Sequence, residues 1–554
     1  MRLLHSGIAA GLSGAIFAGM LALTPPASAQ PAPPPEIPSQ GEPALDTPFK
    51  DIPRPIIGAL REPFRDLPQI ENFELVAHGK VKNAGAPGNL GRGRNGGIAI
   101  QDNCVYVGSR LDRLSGTGED FGNEALPPEI AILRTSNLNT VGQFQTPLGS
   151  DNREIRTIPD KHTLISLLVS GDEDNPALKN GLWIYDTSDC RNPVLAATVD
   201  FGMDQGHEFY LWRDWTRSDR FLVLVSFLGH VPDLRIYELT IPGANPSGIT
   251  PNQTPVATFT LNPAVPIEEP VDPDRYRTDN FLFNEKPTSQ GNGLHSMAMT
   301  DDGTRVYMAN AQAGYFLLDS TKLARGESCT PNTETQDETT NQNPDLCLRK
   351  INPDPNARID VTPPYTGIHH SFYPIPNRKY GIASGERNGT DTCPWTPAQI
   401  VDVYDEMNPV TYSYMMVPEN LPENCFLGGP GDPRLMREFS THQPLIFENL
   451  YFLSYYSAGL RVWDTSNPRL PMEVGVFVPK PVNNLVEYFR DSRDVWMWSF
   501  PVLHNGLIYV SDDNNGVYKL RYTGPRADEL PQTGTFGSND NLGRPPISNL
   551  QPAQ

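Results

Sequence analysis

Short apolar runs separated by polar turn residues recur along most of this chain. The clearest example is the stretch from residue 440 to residue 467, whose β-rich runs are interrupted at residues 448 and 449 and again at residues 457 to 459. Runs of aromatic and branched residues bounded by turn formers are typical of antiparallel strands. The stretch therefore predicts three antiparallel strands that end in an Asx-type turn. One such sheet cannot bury both of its faces, so it needs neighbours.

The same unit recurs, with drift, in seven copies along the chain. Each copy supplies an inner, a middle and a third strand, and several continue into a fourth, such as the run at 473 to 478. The copies contain residues 96 to 137, 164 to 193, 207 to 239, 295 to 319, 370 to 405, 440 to 467 and 498 to 522. A repeat in which every unit is one small sheet predicts a radial array of blades.

The seventh copy lacks a convincing fourth strand, and this decides how the array closes. Far upstream, residues 73 to 79 alternate like a strand but have no hairpin partner beside them. Radial sheets protect their edges only when the ring closes, and an N-terminal strand that completes the last sheet is one way to close it. We therefore predict an all-β fold, a seven-bladed β-propeller closed by an N-terminal strand. Six or eight blades are the alternatives, because the second and seventh copies are the least regular.

The segments outside the repeats predict an exported protein. Arg2, the apolar residues 7 to 23 and the small residues 27 to 29 are the three parts of a secretory signal peptide, which we expect to span residues 1–29. Composition predicts an extended Pro-rich arm at 30–68, the propeller at 69–525 and a disordered tail at 526–554. No later stretch is apolar for long enough to span a bilayer. We expect a secreted or periplasmic protein with no membrane span.

Charge and missing motifs narrow the function further. The formal net charge of -21 disfavours nucleic acid and anionic lipid as partners. The chain contains no GxSxG elbow, no HExxH, no P-loop and no dinucleotide-binding fingerprint followed by a helix. The common hydrolases, zincins and nucleotide-dependent enzymes therefore receive no support from the sequence.

Six cysteines remain after the signal peptide, and in an oxidising compartment an even number predicts disulfides. No spacing between them is the CxxC of a metal or redox site. Cys329 and Cys347 bracket a polar segment that could not pack by itself, so a bridge that closes this loop is the first expected pair. By elimination the other pairs are Cys393 with Cys425 and Cys104 with Cys190.

Third strands of two copies carry a recognisable pattern. Residues 181 to 193 read GlyLeuTrpIleTyrAspThrSerAspCysArgAsnPro, and residues 459 to 468 read GlyLeuArgValTrpAspThrSerAsnPro. This pattern resembles the LVIVD-repeat family of secreted bacterial β-propellers. The match is close at 181 to 199 and at 442 to 478, and weaker in the other copies. The resemblance implies a propeller fold and export, and it assigns no chemistry.

Histidines open four consecutive copies: His207, His295, His370 and His442. Inner strands of a propeller line its central channel, so one strand-start position in four blades would place four imidazoles around one mouth. Imidazole binds Fe, Cu or Zn, and strands support ligands more stiffly than loops do. In this arrangement alone the chain is similar to carotenoid cleavage oxygenases and methanethiol oxidases. The alternative is that each histidine packs against a neighbouring blade and binds no metal.

Carboxylates near the histidines are the next candidates: Glu208, Glu386 and Glu438. They could orient ligand imidazoles or act as acid-base groups. Each could equally be a solvated or salt-bridged side chain, and Arg387 and Arg437 stand beside two of them. Long connections between strands surround the histidine end of the predicted blades, which is where binding residues collect.

Two functions follow from these observations. The first is a metal-dependent propeller enzyme with a His-lined site, acting on a small molecule by oxidase-like, oxygenase-like or other metal-assisted chemistry. The second is a non-catalytic secreted propeller of the LVIVD-repeat type that binds an extracytoplasmic protein or glycan through its long-loop face.

Overall fold

The computed structural model describes most of the chain between residues 56 and 544. The described ranges are 56–57, 68–81, 94–110, 129–147, 150–170, 179–228, 230–244, 248–260, 293–311, 314–332, 343–353, 359, 368–386, 395–421, 439–480, 495–513 and 515–544. Three strands precede the blades: β1 (Ile56–Ile57), β2 (Gln69–Glu71) and β3 (Phe73–Gly79). The helical segments with described bounds are α1 (Thr321–Arg325) and the 3-10 turns at Pro159–Lys161, Pro418–Asn420 and Ala527–Glu529.

Seven sheets follow one another along the chain, and we number these blades 1 to 7. Blade 1 contains β4 (Arg94–Gln101), β5 (Cys104–Arg110), β6 (Glu129–Arg134) and β7 (Thr140–Gln145). Blade 2 contains β8 (Ser150–Ile158), β9 (Thr163–Ser170), β10 (Asn180–Asp186) and β11 (Val194–Gly202). Blade 3 contains β12 (Phe209–Arg213), β13 (Arg220–Ser226), β14 (Leu234–Thr240), β15 (Thr250–Pro251) and β16 (Ala257–Phe259).

The remaining four blades follow the same plan, in which the first strand of each blade is the inner one. Blade 4 contains β17 (Leu294–Met299), β18 (Arg305–Asn310), β19 (Gly314–Asp319) and β20 (Arg349–Lys350). Blade 5 contains β21 (Ile368–Pro374), β22 (Tyr380–Glu386), β23 (Ala398–Asp402) and β24 (Val410–Met416). Blade 6 contains β25 (Pro444–Ile446), β26 (Leu450–Ser454), β27 (Leu460–Asp464) and β28 (Met472–Val478). Blade 7 contains β29 (Val502–His504), β30 (Leu507–Asp512) and β31 (Gly516–Tyr522), and the final strand is β32 (Thr535–Phe536).

The prediction of seven blades closed by an N-terminal strand is confirmed. Strand β3 pairs antiparallel with β31, in a register that runs from Phe73 opposite Tyr522 to Gly79 opposite Val517. The Phe73 ring packs edge-on against the rings of Phe452, Phe477 and Tyr522. The N-terminal strand therefore completes blade 7 and also contacts blade 6. Strands β1 and β2 add outer strands to blades 5 and 6.

Apolar side chains between the blades form the core. Inward and outward residues alternate along each strand, so every blade presents one apolar face to each neighbour. The largest buried cluster joins blades 3 to 6, for example through Tyr210, Met299, Tyr373 and Leu453. Other clusters join blades 1 and 2, blades 2 and 3, blades 6 and 7, and blades 7 and 1. The apolar packing is therefore continuous around the ring.

The recurring aspartate at the end of third strands forms a local turn. The Oδ1 atom of Asp464 accepts the backbone N–H of Ser466 at 2.9 Å, as the Asx-type turn predicted for this stretch requires. Asp186 and Asp402 accept the N–H of the residue two positions on, each at 2.8 Å. The Asp of the repeat therefore stops the third strand and turns the chain toward the fourth.

The inner strand of blade 2 was not predicted from the sequence, where only residues 164 to 193 of that copy were recognised. Strand β8 reads SerAspAsnArgGluIleArgThrIle, and its charged residues hide the alternation of a strand. Glu154 and Arg156 are nonetheless buried, and their side chains form an ion pair at 2.6 Å. The Arg156 guanidinium also lies 4.9 Å from the ring centres of Phe209 and Phe500, on inner-strand segments of two other blades.

The expected disordered tail at 526–554 is wrong for residues 526–544. Strand β32 pairs with β29, the inner strand of blade 7. Beyond it, Asn541 is fully buried and bonds the backbone of Arg213 at the end of β12, and the Arg544 guanidinium pairs with Asp301 at 3.2 Å. Polar residues that would be solvated in an unfolded tail are here satisfied by the far ends of inner strands, and this satisfaction orders the segment.

Two of the three expected disulfides are present. Cys104 bonds Cys190, which links blade 1 to the turn after β10, and Cys329 bonds Cys347 in the connection between β19 and β20. Cys393 and Cys425 lie outside the described residues. Disulfides of this kind form and persist in oxidising compartments. Within the described part of the chain, no helix has the length and apolarity needed to cross a membrane.

Candidate metal centre

Each of the four histidines lies where an inner strand begins. His295 is the second residue of β17 and His370 the third residue of β21. His207 and His442 precede β12 and β25, and their backbone N–H groups bond the carbonyls of Ser226 and Ser454 at 2.7 and 2.8 Å. Because the inner strands of all blades run in the same direction along the channel, the four histidines lie at one end of it.

A β-bulge re-aims two of these side chains. The pairing of β17 with β18 shifts register between Leu294 and Ser296, and the pairing of β21 with β22 shifts between His369 and Ser371. His295 and His370 are the extra residues at these two points. A bulged residue leaves the regular alternation of the strand, and bulges are over-represented next to active sites. The same bulge in blades 4 and 5 therefore places His295 and His370, each followed by a serine, at the same position of the inner strand.

The four imidazoles form one continuous arc. The ring centres of His207 and His295 are 4.3 Å apart, those of His295 and His370 are 4.2 Å apart, and those of His370 and His442 are 4.2 Å apart. The Nε2 atoms of His207 and His295 approach to 3.0 Å. The histidines that the sequence analysis selected by repeat position therefore meet in space.

Two of the three proposed carboxylates lie among the imidazoles. The Oε1 atom of Glu208 is 3.6 Å from His370 Nε2 and 3.8 Å from His295 Nδ1. The Oε2 atom of Glu386 is 3.6 Å from His370 Nε2 and 3.7 Å from His295 Nε2, and its Oε1 atom is 3.6 Å from His442 Nε2. Both side chains are buried. Glu438 lies outside the described residues.

Two further residues hold these carboxylates, and the sequence analysis missed both. The Gln443 side-chain amide donates to Glu208 Oε1 at 2.9 Å, and the Tyr456 hydroxyl donates to Glu386 Oε1. Tyr456 has a φ of 42°, a left-handed conformation that is uncommon for a residue other than glycine. Such strained positions concentrate at functional sites. The only sequence signal for the pair was their location in the well-formed repeat at 440 to 467.

His370 occupies the most protected position of the arc. Its side chain is fully buried, and neither of its ring nitrogens makes a hydrogen bond to a described residue. Burial lowers the pKa of His370 to about 3. The ring is therefore neutral at physiological pH, which is the form in which imidazole binds a metal. Buried polar atoms without a partner are rare in folded proteins, and a bound ion is one of their ordinary explanations.

Aromatic rings enclose the arc on its blade 6 and blade 7 side. The Tyr456 and Trp498 rings meet the His442 ring edge-on, with centres 5.2 and 5.3 Å from it. The Trp496 ring is tilted against the Tyr456 ring, with centres 4.6 Å apart, and all three aromatic rings are buried. Deeper in the channel, the Tyr373 hydroxyl meets the Ser296 hydroxyl at 3.4 Å. These rings keep water from the carboxylates and imidazoles on two sides.

Six donor residues fall into three overlapping groups. Within each group the candidate ligand atoms all lie within 4.8 Å of one another. The groups are His207 with Glu208 and His295, Glu208 with His370 and His442, and His295 with His370 and Glu386. The cluster therefore offers imidazole and carboxylate donors together, whereas the sequence analysis expected histidine ligands with carboxylates around them.

Comparisons with known proteins assign no family to this chain. No family model matches it, and no curated protein matches it. Among solved structures it is similar to the β-propeller domain of Cps50 (Swd1) from Myceliophteria thermophila, at 8% sequence identity and a TM-score of 0.41, over 82% of this chain and 99% of that chain. The propeller assignment rests on the seven sheets of the chain itself, and the function has to be argued from the site.

Proposed function

We propose that this protein is a metal-dependent enzyme whose four histidines and two buried glutamates hold a transition metal, Fe, Cu or Zn, and that it acts on a small molecule. The observation that carries the proposal is His370. A fully buried neutral imidazole, which makes no hydrogen bond to any described residue, stands between two other imidazoles, whose ring centres are 4.2 Å away, and two carboxylate oxygens at 3.6 Å. A bound cation would give the His370 imidazole a partner and would be shared with these neighbouring groups.

The spacing of the donors suits such a cation. Two ligands held at a metal–nitrogen distance of about 2.1 Å lie about 3.0 Å apart when they are at right angles and about 3.4 Å apart in a tetrahedron. The Nε2 atoms of His207 and His295 are 3.0 Å apart, and the nitrogen-to-oxygen distances of the cluster run from 3.6 to 3.8 Å. Small side-chain movements would bring the second set into range. Mixed imidazole and carboxylate donors suit Fe and Zn, and imidazole suits Cu as well.

The electrostatics of the cluster also favour a cation. Glu208 and Glu386 are 6% and 4% exposed, and each has imidazole nitrogens 3.6–3.8 Å from its oxygen atoms. Burial of two carboxylates is costly unless positive charge compensates them. A divalent ion supplies that charge.

The protein side of the chemistry follows from the described residues. A bound transition metal would supply Lewis-acid or redox chemistry at the open position of the site. Gln443 and Tyr456 hold the carboxylates in place, because each donates one hydrogen bond to a carboxylate oxygen. Trp498, Tyr456 and Tyr373 exclude water, which strengthens every electrostatic interaction at the site. Glu208 and Glu386 are also the groups that could accept or return a proton.

Export and family membership belong to the same proposal. The signal-peptide pattern of residues 1–29 and the two disulfides together support a secreted or periplasmic protein. The third-strand pattern supports placement in the LVIVD-repeat family of propellers.

Metal analysis of the purified protein tests the function. The full chain is expressed with added Fe, Cu or Zn, and bound metal is measured after gel filtration for the wild type, for the double variant His295→Ala/His370→Ala and for His504→Ala. His504 is a matched control, since it ends an inner strand but bonds Thr535 near the opposite end of the channel. We expect tightly bound metal in the wild type and in the control, and none in the double variant. A wild type without metal refutes the enzyme and favours a non-catalytic propeller that binds a protein or glycan.

A further inference from the structure

We propose that the cluster holds two divalent metal ions, with Glu208 as the carboxylate that bridges them. This inference rests on the proposed metal centre and deepens it. Glu208 belongs to two of the three donor groups, and these two groups between them contain all four histidines. Each ion would then have two imidazoles and a share of one carboxylate.

The two groups follow the order of the blades. His207 and His295 come from blades 3 and 4, whereas His370 and His442 come from blades 5 and 6. Within the first pair the Nε2 atoms are 3.0 Å apart, the separation of two ligands on one ion. Within the second pair the ring centres are 4.2 Å apart. Each ion therefore lies between two neighbouring inner strands, whose spacing is fixed by the packing of the blades.

Glu208 stands between the pairs. Its Oε1 atom is 3.6 Å from His370 Nε2, in the second pair, and one of its oxygens lies within 4.8 Å of the candidate ligand atoms of His207 and His295, in the first. Gln443 donates to the Oε1 atom from blade 6, so a residue of blade 3 is held from across the channel. A carboxylate that faces both pairs and is fixed by a neutral donor keeps its negative charge for the ions.

Glu386 provides a second bridge. Its Oε2 atom is 3.7 Å from His295 Nε2, and its Oε1 atom is 3.6 Å from His442 Nε2. The two oxygens of one carboxylate thus face a histidine of each pair. Tyr456 donates to Oε1 and fixes the orientation of the group. Two ions bridged by carboxylates in this way lie about 3.5–4 Å apart, which is the separation seen in two-metal enzymes.

Charge indicates what such a pair would bind. Two divalent ions carry four positive charges, and Glu208 and Glu386 return two negative ones, so a positive charge remains at the open positions. An oxyanion or a deprotonated water fits that balance. Two-metal sites clamp the attacking and leaving oxygens of a displacement, so the substrate class we expect is a small oxyanion ester.

The number of metal ions bound per chain distinguishes a two-metal site from a one-metal site. The full chain, with its disulfides intact, is freed of metal by a chelator and titrated with Zn²⁺, and bound zinc per chain is measured after gel filtration. We expect two zinc ions per chain. One ion overturns the inference and leaves the proposed function standing, whereas no bound ion with zinc, and none in parallel titrations with Fe²⁺ and Cu²⁺, refutes both. His207→Ala and His442→Ala should each retain one ion, and His504→Ala should retain two. If His207→Ala still binds two ions, the assignment of the histidines to two pairs is wrong.

A spectroscopic measurement tests the bridge independently of the count. Two Cu²⁺ ions joined by a bridging carboxylate couple their electron spins, and this coupling weakens the ordinary copper signal in electron paramagnetic resonance. The copper-loaded wild type should show this loss of signal, and the double variant Glu208→Gln/Glu386→Gln, checked for folding by circular dichroism, should recover the signal of uncoupled copper. A full uncoupled signal in the wild type at two ions per chain would refute the bridge.

Discussion

Asn541 offers the sharpest test of how the C-terminal segment is held. Its side chain accepts the N–H of Arg213 at 2.6 Å and donates to the carbonyls of Arg213 and Asp301 at 3.1 and 3.3 Å. It is fully buried. Substitution Asn541→Ala leaves the buried Arg213 N–H without that partner, which costs about 2 kcal/mol, and removes one bond from each of two carbonyls, at about 0.5 kcal/mol each. The expected loss of stability is about 3 kcal/mol.

The matched control is Asn539→Ala. Asn539 is also buried, at 3% exposed, but its side-chain nitrogen makes no hydrogen bond to a described residue. Urea unfolding of the disulfide-intact chain, followed by tryptophan fluorescence, measures both variants. For a slope of about 3 kcal/mol per molar urea, Asn541→Ala should lower the midpoint by about 1 M and the control by far less. Equal midpoints for the two variants would show that the segment is not held by this network.

Two further predictions concern the site and the closure of the ring. Tyr456→Phe removes the donor to Glu386, so metal affinity measured by competition with a chelator should fall roughly 10–100-fold, whereas the exposed Tyr404→Phe should leave it unchanged. An unaltered affinity in Tyr456→Phe contradicts its positioning role. Phe73→Ala empties a site between aromatic rings of blades 6 and 7 and should cost about 3–5 kcal/mol of unfolding free energy. Val76→Ala, at an exposed position of the same strand, should change stability by less than about 0.5 kcal/mol, and similar midpoints for both would contradict closure by this strand.

The fold and the histidines could be predicted because their signals are local. A strand, its hairpin turn and the Asp that ends it lie within a few tens of residues, and each repeats. His295 and His370 are each followed by a serine and stand at the same offset before a hairpin turn, at Asp302 and Asn377. Aligning the copies therefore aligned the histidines, and in a propeller this shared strand position lies at one end of the channel.

The partners of the carboxylates could not be predicted in the same way. Gln443 lies 235 residues from Glu208, and Tyr456 lies 70 residues from Glu386. No sequence motif links the members of either pair. Each contact joins side chains of two different blades, so it depends on how one blade is rotated relative to the other. The proposed role of Glu208 and Glu386 as metal ligands could not be predicted from the sequence either, since it depends on where their oxygen atoms point.

The two errors about the backbone share one physical cause. Strand β8 and residues 526–544 are polar, and composition assigns polar segments to solvent. In the folded protein Glu154 pairs with Arg156, and the Arg544 guanidinium pairs with Asp301. Burial raises the pKa of Asp540, and the Arg544 guanidinium beside it opposes that rise. Polar residues that pair with one another can fill a channel in place of apolar side chains. Composition does not show which residues pair, so it cannot predict such a segment.

The C-terminal segment also bears on the direction from which a ligand reaches the cluster. Ser538 accepts the N–H of Ile446 at the end of β25, Asn541 bonds Arg213 at the end of β12, and Arg544 pairs with Asp301 just beyond β17. These contacts lie at the ends of the same inner strands whose beginnings carry His442, His207 and His295. Between these strand ends and the histidines, the Arg156 guanidinium packs against the Phe209 and Phe500 rings across the channel. One end of the channel is thus filled by protein, so we expect a ligand to approach from the end at which the histidines begin the strands.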